Sequence, residues 1–238
     1  MHTSNMITVQ KLEKIYDRGP VLSIENLEIP HGQSFGLVGN NGAGKTTFFS
    51  LLLDLIEPTS GGILNHSLVV NQSEEWKSFT TAFLDESFLI GYLTCDEYFY
   101  FIGELRNLTK KQVDDFLVDY HDFFNGEIIG NKKFIRDLSK GNQKKVGIIA
   151  TLLGNPKVVV LDEPFANLDP TTQIRLKKIL RNIADTKKTT LLVSSHDLNH
   201  TFEISERIVC FEKGRIIKDI MTNEYSYEQL TSFFDVVE

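Results

Sequence analysis

Hydrophobic and polar residues alternate along the first thirty positions of the chain. The alternation runs through ITVQKLEKIY (7–16) and again through VLSIENLEI (21–29). A period of two is typical of strands that bury one face and expose the other. The pattern predicts two half-buried strands, which would form an antiparallel β subdomain at the N-terminal end.

Three later runs are short and almost wholly apolar. They are SFGLV (34–38), KVVVLD (157–162) and TTLLVSS (189–195). Runs rich in valine and leucine are typical of parallel strands that are buried on both faces. A loop bearing glycine or carboxylate and then a helical pattern follow each run, which indicates β-α-β alternation. The predicted fold class is α/β, with a mixed, mainly parallel sheet at its core.

Helical spacing replaces this pattern in the middle of the chain. Thr94 with Glu97, and Thr109 with Gln112, each match a helix capping box. Apolar residues at helical spacing then predict a packed helical subdomain; these residues are Tyr98, Phe101, Ile102, Leu105, Val113, Phe116, Leu117, Tyr120 and Phe124. We expect one domain, with a helical part at 90–154 inserted into a core of 1–89 and 155–238.

The last part of the chain predicts two more elements. RIVCFEKGRIIKDI (207–220) has the pattern of a hairpin that turns at Lys213 and Gly214. A short helix is expected over residues 227–234.

Composition and charge narrow the class of protein. A chain of 238 residues, 41% of them hydrophobic, can build one sizeable core. The net charge of -7 and the lack of a Lys/Arg block argue against nucleic acid as the main partner. We find no signal-peptide pattern, no apolar stretch of about 18 residues, and no metal-ligand spacing at Cys95 or Cys210. A cytoplasmic location is expected.

A glycine-rich segment joins the first apolar run to a helical pattern. Residues 39–46 fit G-x-x-x-x-G-K-[ST], a loop whose backbone N–H groups surround phosphates at a helix N-terminus. Lys45 can span the β- and γ-phosphates, and the Thr46 hydroxyl can ligate Mg²⁺. The expected nucleotide-binding residues are Gly39, Asn40, Asn41, Gly42, Ala43, Gly44, Lys45, Thr46 and Thr47.

Two carboxylates end the second apolar run. VVVLDEP (158–164) places Asp162 and Glu163 directly after a predicted buried strand. Asp162 would reach the Mg²⁺ of a bound nucleotide through water, and Glu163 would orient or deprotonate the attacking water. Beside the phosphate loop, this pair predicts nucleotide hydrolysis.

Further motifs resemble those of the ATP-binding subunit of an ABC transporter, and the resemblance covers nearly the whole chain. LSKGN (138–142) is similar to the family's signature motif, ANLDP (166–170) to its D-loop, and SSHD (194–197) to the segment with its switch histidine. The resemblance implies Glu163 and His196 as catalytic residues and Tyr16 as the aromatic that stacks on adenine.

The resemblance also implies partners and cofactors. ATP and Mg²⁺ would lie between two ABC subunits, identical or different, in a head-to-tail dimer. Ser139 and the Gly141 N–H would then act in trans on the γ-phosphate bound by the other subunit. The family pairs such dimers with a membrane permease, so the chain would lie peripherally on the inner face of the cell membrane, and nucleic acid is not an expected partner.

Three features depart from the family pattern. The signature motif has Lys140 and Asn142 where glycine and glutamine are usual, and this Lys-Gly form resembles the branch that serves export-type permeases. The glutamine usual after FTTAFL (79–84) is absent, and either Asp85 or Glu86 takes its place; we assign Asp85 provisionally to the metal site, with Thr46 and Asp162. The segment between Gly62 and Asn71 is shorter than usual.

Several functions share the phosphate loop. The leading hypothesis is an ATPase that drives transport. Export is favoured over import by the Lys-Gly form of the signature motif and by the lack of an added C-terminal regulatory domain. A soluble ABC-type ATPase that remodels a protein or ribosomal partner is the alternative. A regulator without hydrolysis is disfavoured because Glu163 and His196 are both present, and a GTPase because no N-K-x-D motif occurs.

Overall fold

The strands pair into two separate sheets. The structure is a computed structural model that describes residues 5–17, 19–186, 188–225 and 227–234. Within these ranges the strands are β1 (Asn5–Tyr16), β2 (Gly19–Pro30), β3 (Ser34–Val38), β4 (Ser60–Asn65), β5 (Leu68–Val69), β6 (Thr80–Phe83), β7 (Val158–Leu161), β8 (Thr190–Ser195), β9 (Arg207–Glu212) and β10 (Arg215–Met221).

The smaller sheet is antiparallel and has the strand order β2-β1-β4-β5. It confirms the expectation from the alternating pattern at the start of the chain. The buried residues of β1 and β2 include Ile7, Val9, Leu22 and Ile24, which lie on the face that packs against the core.

The larger sheet has the order β10-β9-β3-β8-β7-β6. Strands β6, β7, β8, β3 and β9 are parallel, and only β10, the second strand of the predicted hairpin, runs antiparallel to its neighbour. Every residue of β3, β7 and β8 is buried. The almost wholly apolar runs are therefore buried parallel strands, as predicted, and the structure places them in the middle of the sheet.

Eight α-helices lie within the described residues. They are α1 (Lys45–Leu52), α2 (Cys95–Leu105), α3 (Lys110–Val118), α4 (His121–Phe124), α5 (Lys140–Ala150), α6 (Pro170–Asp185), α7 (Leu198–Ile204) and α8 (Tyr227–Phe234). Both predicted capping boxes are present, at the N-termini of α2 and α3. None of the helices in the described ranges has both the length and the apolar character needed to span a bilayer.

The larger sheet separates two hydrophobic clusters. Alternate residues of β7 and β8 face opposite clusters: Val159, Leu161, Leu191 and Val193 pack with the helices, and Val158, Val160 and Leu192 pack with α1 and the smaller sheet. Burial on both faces is the reason that these strands need apolar residues at every position.

Helix α5 packs unusually close to strand β6. A Cβ atom on Gly147 would lie 2.1 Å from the Phe83 ring, so the contact leaves room for glycine alone. This close packing brings the N-terminal half of α5 next to the loops that follow β6 and β7.

The predicted apolar stripe of α2 is partly wrong. Phe101 and Leu105 are 39% and 64% exposed, whereas Phe99, outside the predicted stripe, is fully buried. Helix α2 carries apolar residues on more than one face, so helical spacing alone did not identify the buried one. The division into a core and a helical part at 90–154 stays a prediction, and α2 to α5 all fall inside that part.

Candidate active site

The site lies where the parallel strands of the larger sheet end. Val38 pairs with Ser195, and Leu161 pairs with Val193, so the loops after β3, β7 and β8 leave the sheet at one edge. The carboxyl ends of parallel strands are the usual location of ligand sites in α/β proteins. The predicted phosphate loop, the Asp162–Glu163 pair and His196 all follow these strand ends.

Glycine gives the phosphate loop its shape. Gly42 and Gly44 have φ angles of 82° and 106°, in the region that side chains disfavour. At Gly39, a Cβ would lie 2.5 Å from the Phe211 carbonyl oxygen. The loop therefore turns tightly into α1, whose first-turn N–H groups have no partners within the helix and can bind an anion.

Lys45 folds back across this loop. Its Nζ donates hydrogen bonds to the carbonyl oxygens of Gly39, at 2.6 Å, and Asn40, at 3.4 Å. It also forms an ion pair with Glu163, at 3.2 Å from Oε1. The lysine is buried, so its charge lies inside the loop.

Asp162 is held by two hydroxyl groups. The Thr46 hydroxyl donates to Oδ2 at 2.6 Å, and the Ser194 hydroxyl donates to Oδ1. Burial raises the pKa of the Asp162 carboxyl, and these two hydrogen bonds oppose the shift only in part. The carboxylate and the Thr46 hydroxyl are hard oxygen ligands of the type that Mg²⁺ prefers.

Glu163 is fixed through its side chain and its backbone. Its Oε2 lies 2.9 Å from His196 Nδ1, and its N–H donates to Ser194 Oγ at 2.9 Å. Its φ angle is 46°, a left-handed conformation that costs a non-glycine residue about 1–3 kcal/mol and that clusters at functional sites. The structure thus brings together Lys45, Thr46, Asp162, Glu163 and His196.

The provisional metal ligand Asp85 is not part of this group of residues. Asp85 is exposed, and its carboxylate accepts a hydrogen bond from the Ser87 N–H at 2.6 Å, because it caps the short 3-10 turn that begins at Glu86. Glu86 points inward instead. Its Oε1 lies 3.7 Å from Nζ of Lys144, which donates to the Glu163 carbonyl oxygen at 3.0 Å.

The remaining predicted residues lie apart from the loop. Tyr16 ends β1 with its side chain half exposed, and Lys14 Nζ lies 4.9 Å from its ring centroid. Ser139 is the exposed N-cap of α5, and its Oγ accepts a hydrogen bond from the Asn142 N–H at 3.2 Å. Gly141 lies in the first turn of α5.

Two residues of the site were missed by the sequence analysis. Ser194 bridges Asp162 and the Glu163 N–H, and Lys144 holds the Glu163 carbonyl. The sequence did contain a signal for Ser194, because parallel pairing of the apolar runs at 157–162 and 189–195 places Ser194 beside Asp162. No pattern indicated Lys144, which is the fifth residue of α5 and lies where the helix becomes buried on all sides.

This geometry defines a class of protein: an α/β nucleotide-binding protein with a phosphate loop at the carboxyl edge of a parallel sheet. The comparisons with known proteins narrow the class. The family model described as ABC transporter matches residues 22–166, more than half of the chain. The chain belongs to the ABC transporter family and is an ATP-binding cassette with ATPase activity.

Individual relatives agree with this family. YhaQ of Bacillus subtilis, an ABC transporter ATP-binding protein, is 31% identical over 88% of this chain and 69% of its own length. PotA of Legionella pneumophila, a spermidine/putrescine import ATP-binding protein, is 27% identical over 95% of this chain and 62% of its own. The dimeric structure of the bacterial cassette MJ0796 matches with a TM-score of 0.81 and 21% identity, over 91% of this chain and 99% of that one, and supports the fold.

The raised pKa of Asp162 predicts a conflict between stability and function. The folded state binds this proton more tightly than the unfolded chain, so the ionised carboxylate lowers the stability. The cost is absent below the unfolded-state pKa, grows as the pH rises from there to the folded-state pKa, and is complete above the folded-state pKa. Asp162→Asn should therefore melt at a higher temperature than wild type at pH 7 without nucleotide, while losing Mg²⁺-dependent hydrolysis.

Scanning calorimetry of both proteins at neutral and acid pH measures this effect. The gap between the melting temperatures should narrow toward acid pH. Asp17→Asn, in the exposed turn after β1, is the matched control and should not change the melting temperature at either pH. Because the asparagine Nδ2 atom cannot accept a hydroxyl hydrogen bond, the change of the gap with pH is the decisive result, and a gap that does not change between neutral and acid pH would contradict the account of this carboxylate.

Proposed function

We propose that this chain is the ATP-hydrolysing subunit that drives a separate membrane permease, as one half of a head-to-tail dimer. The observation that carries the proposal is the Lys45–Glu163–His196 set of contacts across the phosphate loop. It supplies a cation for the phosphates, a base for water and a group that orients the base.

Each residue of the site has a role in this mechanism. Lys45 contacts the β- and γ-phosphates, and Glu163 takes a proton from the attacking water, a step that contributes about 10²- to 10⁴-fold. His196 holds one Glu163 oxygen. Thr46 and Asp162 would hold Mg²⁺, which when bound offsets charge on the phosphoryl oxygens. The half-exposed Tyr16 ring offers a stacking surface for adenine.

The second half of the site would come from the partner subunit. Ser139 and Gly141 lie at the exposed N-terminal turn of α5, where unpaired N–H groups favour a negatively charged ligand. Among the described residues, no hydrogen bond joins Ser139 or Gly141 to the phosphate loop of its own chain, which supports a role in trans. The dimeric form of the related MJ0796 cassette is consistent with this arrangement.

A groove between β6 and helices α2 and α5 is the proposed docking surface for the permease. Its volume is about 500 Å³, and its lining includes Phe88, Leu89, Ile102, Leu105 and Arg106. Phe88 and Leu105 are 58% and 64% exposed, an apolar surface that an amphipathic cytoplasmic segment of a permease would cover. The chain is acidic and belongs to a family of ATPases. Both properties fit a subunit that binds the membrane through a permease.

Export is the direction we propose for the transport step. The Lys140–Gly141 form of the signature motif supports it, whereas the relative PotA is an import protein. The permease would select the cargo.

The dimer can be tested by mixing two inactive variants. Ser139→Arg places bulk and charge between the subunits, and Lys45→Ala removes the cation that contacts the phosphates. In a mixed dimer, one site carries both lesions and the other carries neither. ATP hydrolysis should therefore return when the two proteins are mixed.

The matched control replaces Lys45→Ala in the mixture with the Ser139→Arg/Lys45→Ala double variant. No mixed dimer of that pair contains an intact site, so the mixture should stay inactive. Lack of recovery in the first mixture, with mixed dimers demonstrated by cross-linking, would contradict a site shared between subunits.

The docking groove predicts a second result. Leu105→Glu places a charge in the groove at an exposed position and should reduce the fraction of the chain recovered on washed membranes of its native cells. Val118→Glu, at a position that is 71% exposed on α3, is the control and should leave that fraction unchanged. Wild-type protein that is absent from membranes would contradict the permease and favour the soluble remodelling ATPase.

A further inference from the structure

Helix α5 buries two neighbouring lysines, Lys144 and Lys145, which are 5% and 4% exposed. A buried ammonium group is costly unless the protein supplies partners for its charge. The two lysines find different partners. Lys145 lies over the Phe123 ring, with Nζ 6.0 Å from the ring centroid. Lys144 extends to the loops at the carboxyl edge of the larger sheet.

Lys144 joins three segments of the chain. Its Nζ donates to the Glu163 carbonyl oxygen at 3.0 Å and lies 3.7 Å from Glu86 Oε1. The Glu86 side chain is 15% exposed, and its Oε1 has no hydrogen-bond partner among the described residues, so its charge faces Lys144 alone at that atom. The close packing of Gly147 on Phe83 is what brings α5 within reach of both loops.

Glu163 needs this support because of its backbone conformation. Its φ angle of 46° is unfavourable for a residue with a side chain, and surrounding contacts must maintain it. Ser194 fixes the peptide before Glu163 by accepting its N–H, and the peptide after it is held by Lys144 and by the Ala166 N–H, which both donate to the Glu163 carbonyl oxygen. These backbone contacts act together with the contacts of the Glu163 carboxylate with Lys45 and His196 to set the direction of the side chain.

We propose that Lys144 and Glu86 form a charged pair that positions Glu163 for proton abstraction. The inference rests on the proposed role of Glu163 as the base. Glu86 holds the Lys144 ammonium group, and Lys144 holds the Glu163 backbone. Glu86 therefore acts through Lys144 and is a positioning residue.

The test compares full-length variants in single-turnover hydrolysis of Mg²⁺-ATP, with nucleotide affinity measured separately by titration with a fluorescent ATP analogue. Lys144→Met should lower the hydrolysis rate by about tenfold or more, because small displacements of a reacting group cost up to about 10²-fold. Its nucleotide affinity should stay within about threefold of wild type, a separation that general loss of structure would not produce. Lys145→Met, the matched control on the same helix, should leave both quantities unchanged.

Glu86→Gln provides the second variant and applies if Lys144→Met does not fold. It removes the same charge pair from a loop position and should also slow hydrolysis without weakening binding. The Glu86→Gln/Lys144→Met double variant should be no slower than Lys144→Met, because residues that act as a unit are not additive. If the rate reductions of the two single variants multiply in the double variant, the proposal that Lys144 and Glu86 act as a pair is wrong. A hydrolysis rate equal to that of wild type in Lys144→Met or Glu86→Gln would also contradict it.

Glu163→Gln separates this inference from the proposed function. If Glu163→Gln abolishes hydrolysis while folded Lys144→Met hydrolyses ATP at the wild-type rate, the positioning role of the charged pair is wrong and the assignment of Glu163 as the base is correct. If Glu163→Gln itself hydrolyses at the wild-type rate, the proposed base is wrong, and the inference fails with it.

Discussion

Lys45 carries a positive charge into a loop of backbone carbonyl groups, beside the buried carboxylate of Asp162 and the partly exposed carboxylate of Glu163. Its Nζ lies 2.6 Å from the Gly39 oxygen and 3.2 Å from Glu163 Oε1. A buried charge requires partners, and here the chain itself supplies them. The triphosphate of ATP would offer Lys45 a larger negative charge at the same place. Binding would then exchange one set of charged contacts for another and would release Glu163 for its proposed role as the base.

The larger sheet makes this arrangement possible. Strands β3, β7 and β8 run parallel, so the phosphate loop, Asp162 and His196 leave the sheet at one edge. The glycine at position 147 lets α5 approach β6, which adds Lys144 to the same group. The 3-10 turn that begins at Glu86 also carries Phe88 into the groove, so the proposed docking surface and the proposed positioning pair share one short element.

The sequence predicted the parts of the fold that depend on local chemistry. Period-two alternation, wholly apolar runs, capping boxes and the glycine-rich motif each reflect a local requirement, and the corresponding strands, helix N-termini and loop are present. Features that depend on packing between distant segments were not predicted. The buried face of α2 was misassigned. The contacts of Lys144 and the inward orientation of Glu86 depend on how α5 packs against two loops from other parts of the chain.

Titration calorimetry of Mg²⁺-ATP into wild-type and Lys45→Ala protein tests the central claim most directly. If the Lys45 ammonium group is the cation that binds the phosphates, the variant should lose at least about tenfold in affinity, or about 1.4 kcal/mol. Lys111→Ala removes an exposed lysine from α3 and should bind as wild type does. Equal affinity in wild type and Lys45→Ala would contradict the account, because the loop would then hold something other than the phosphates of ATP.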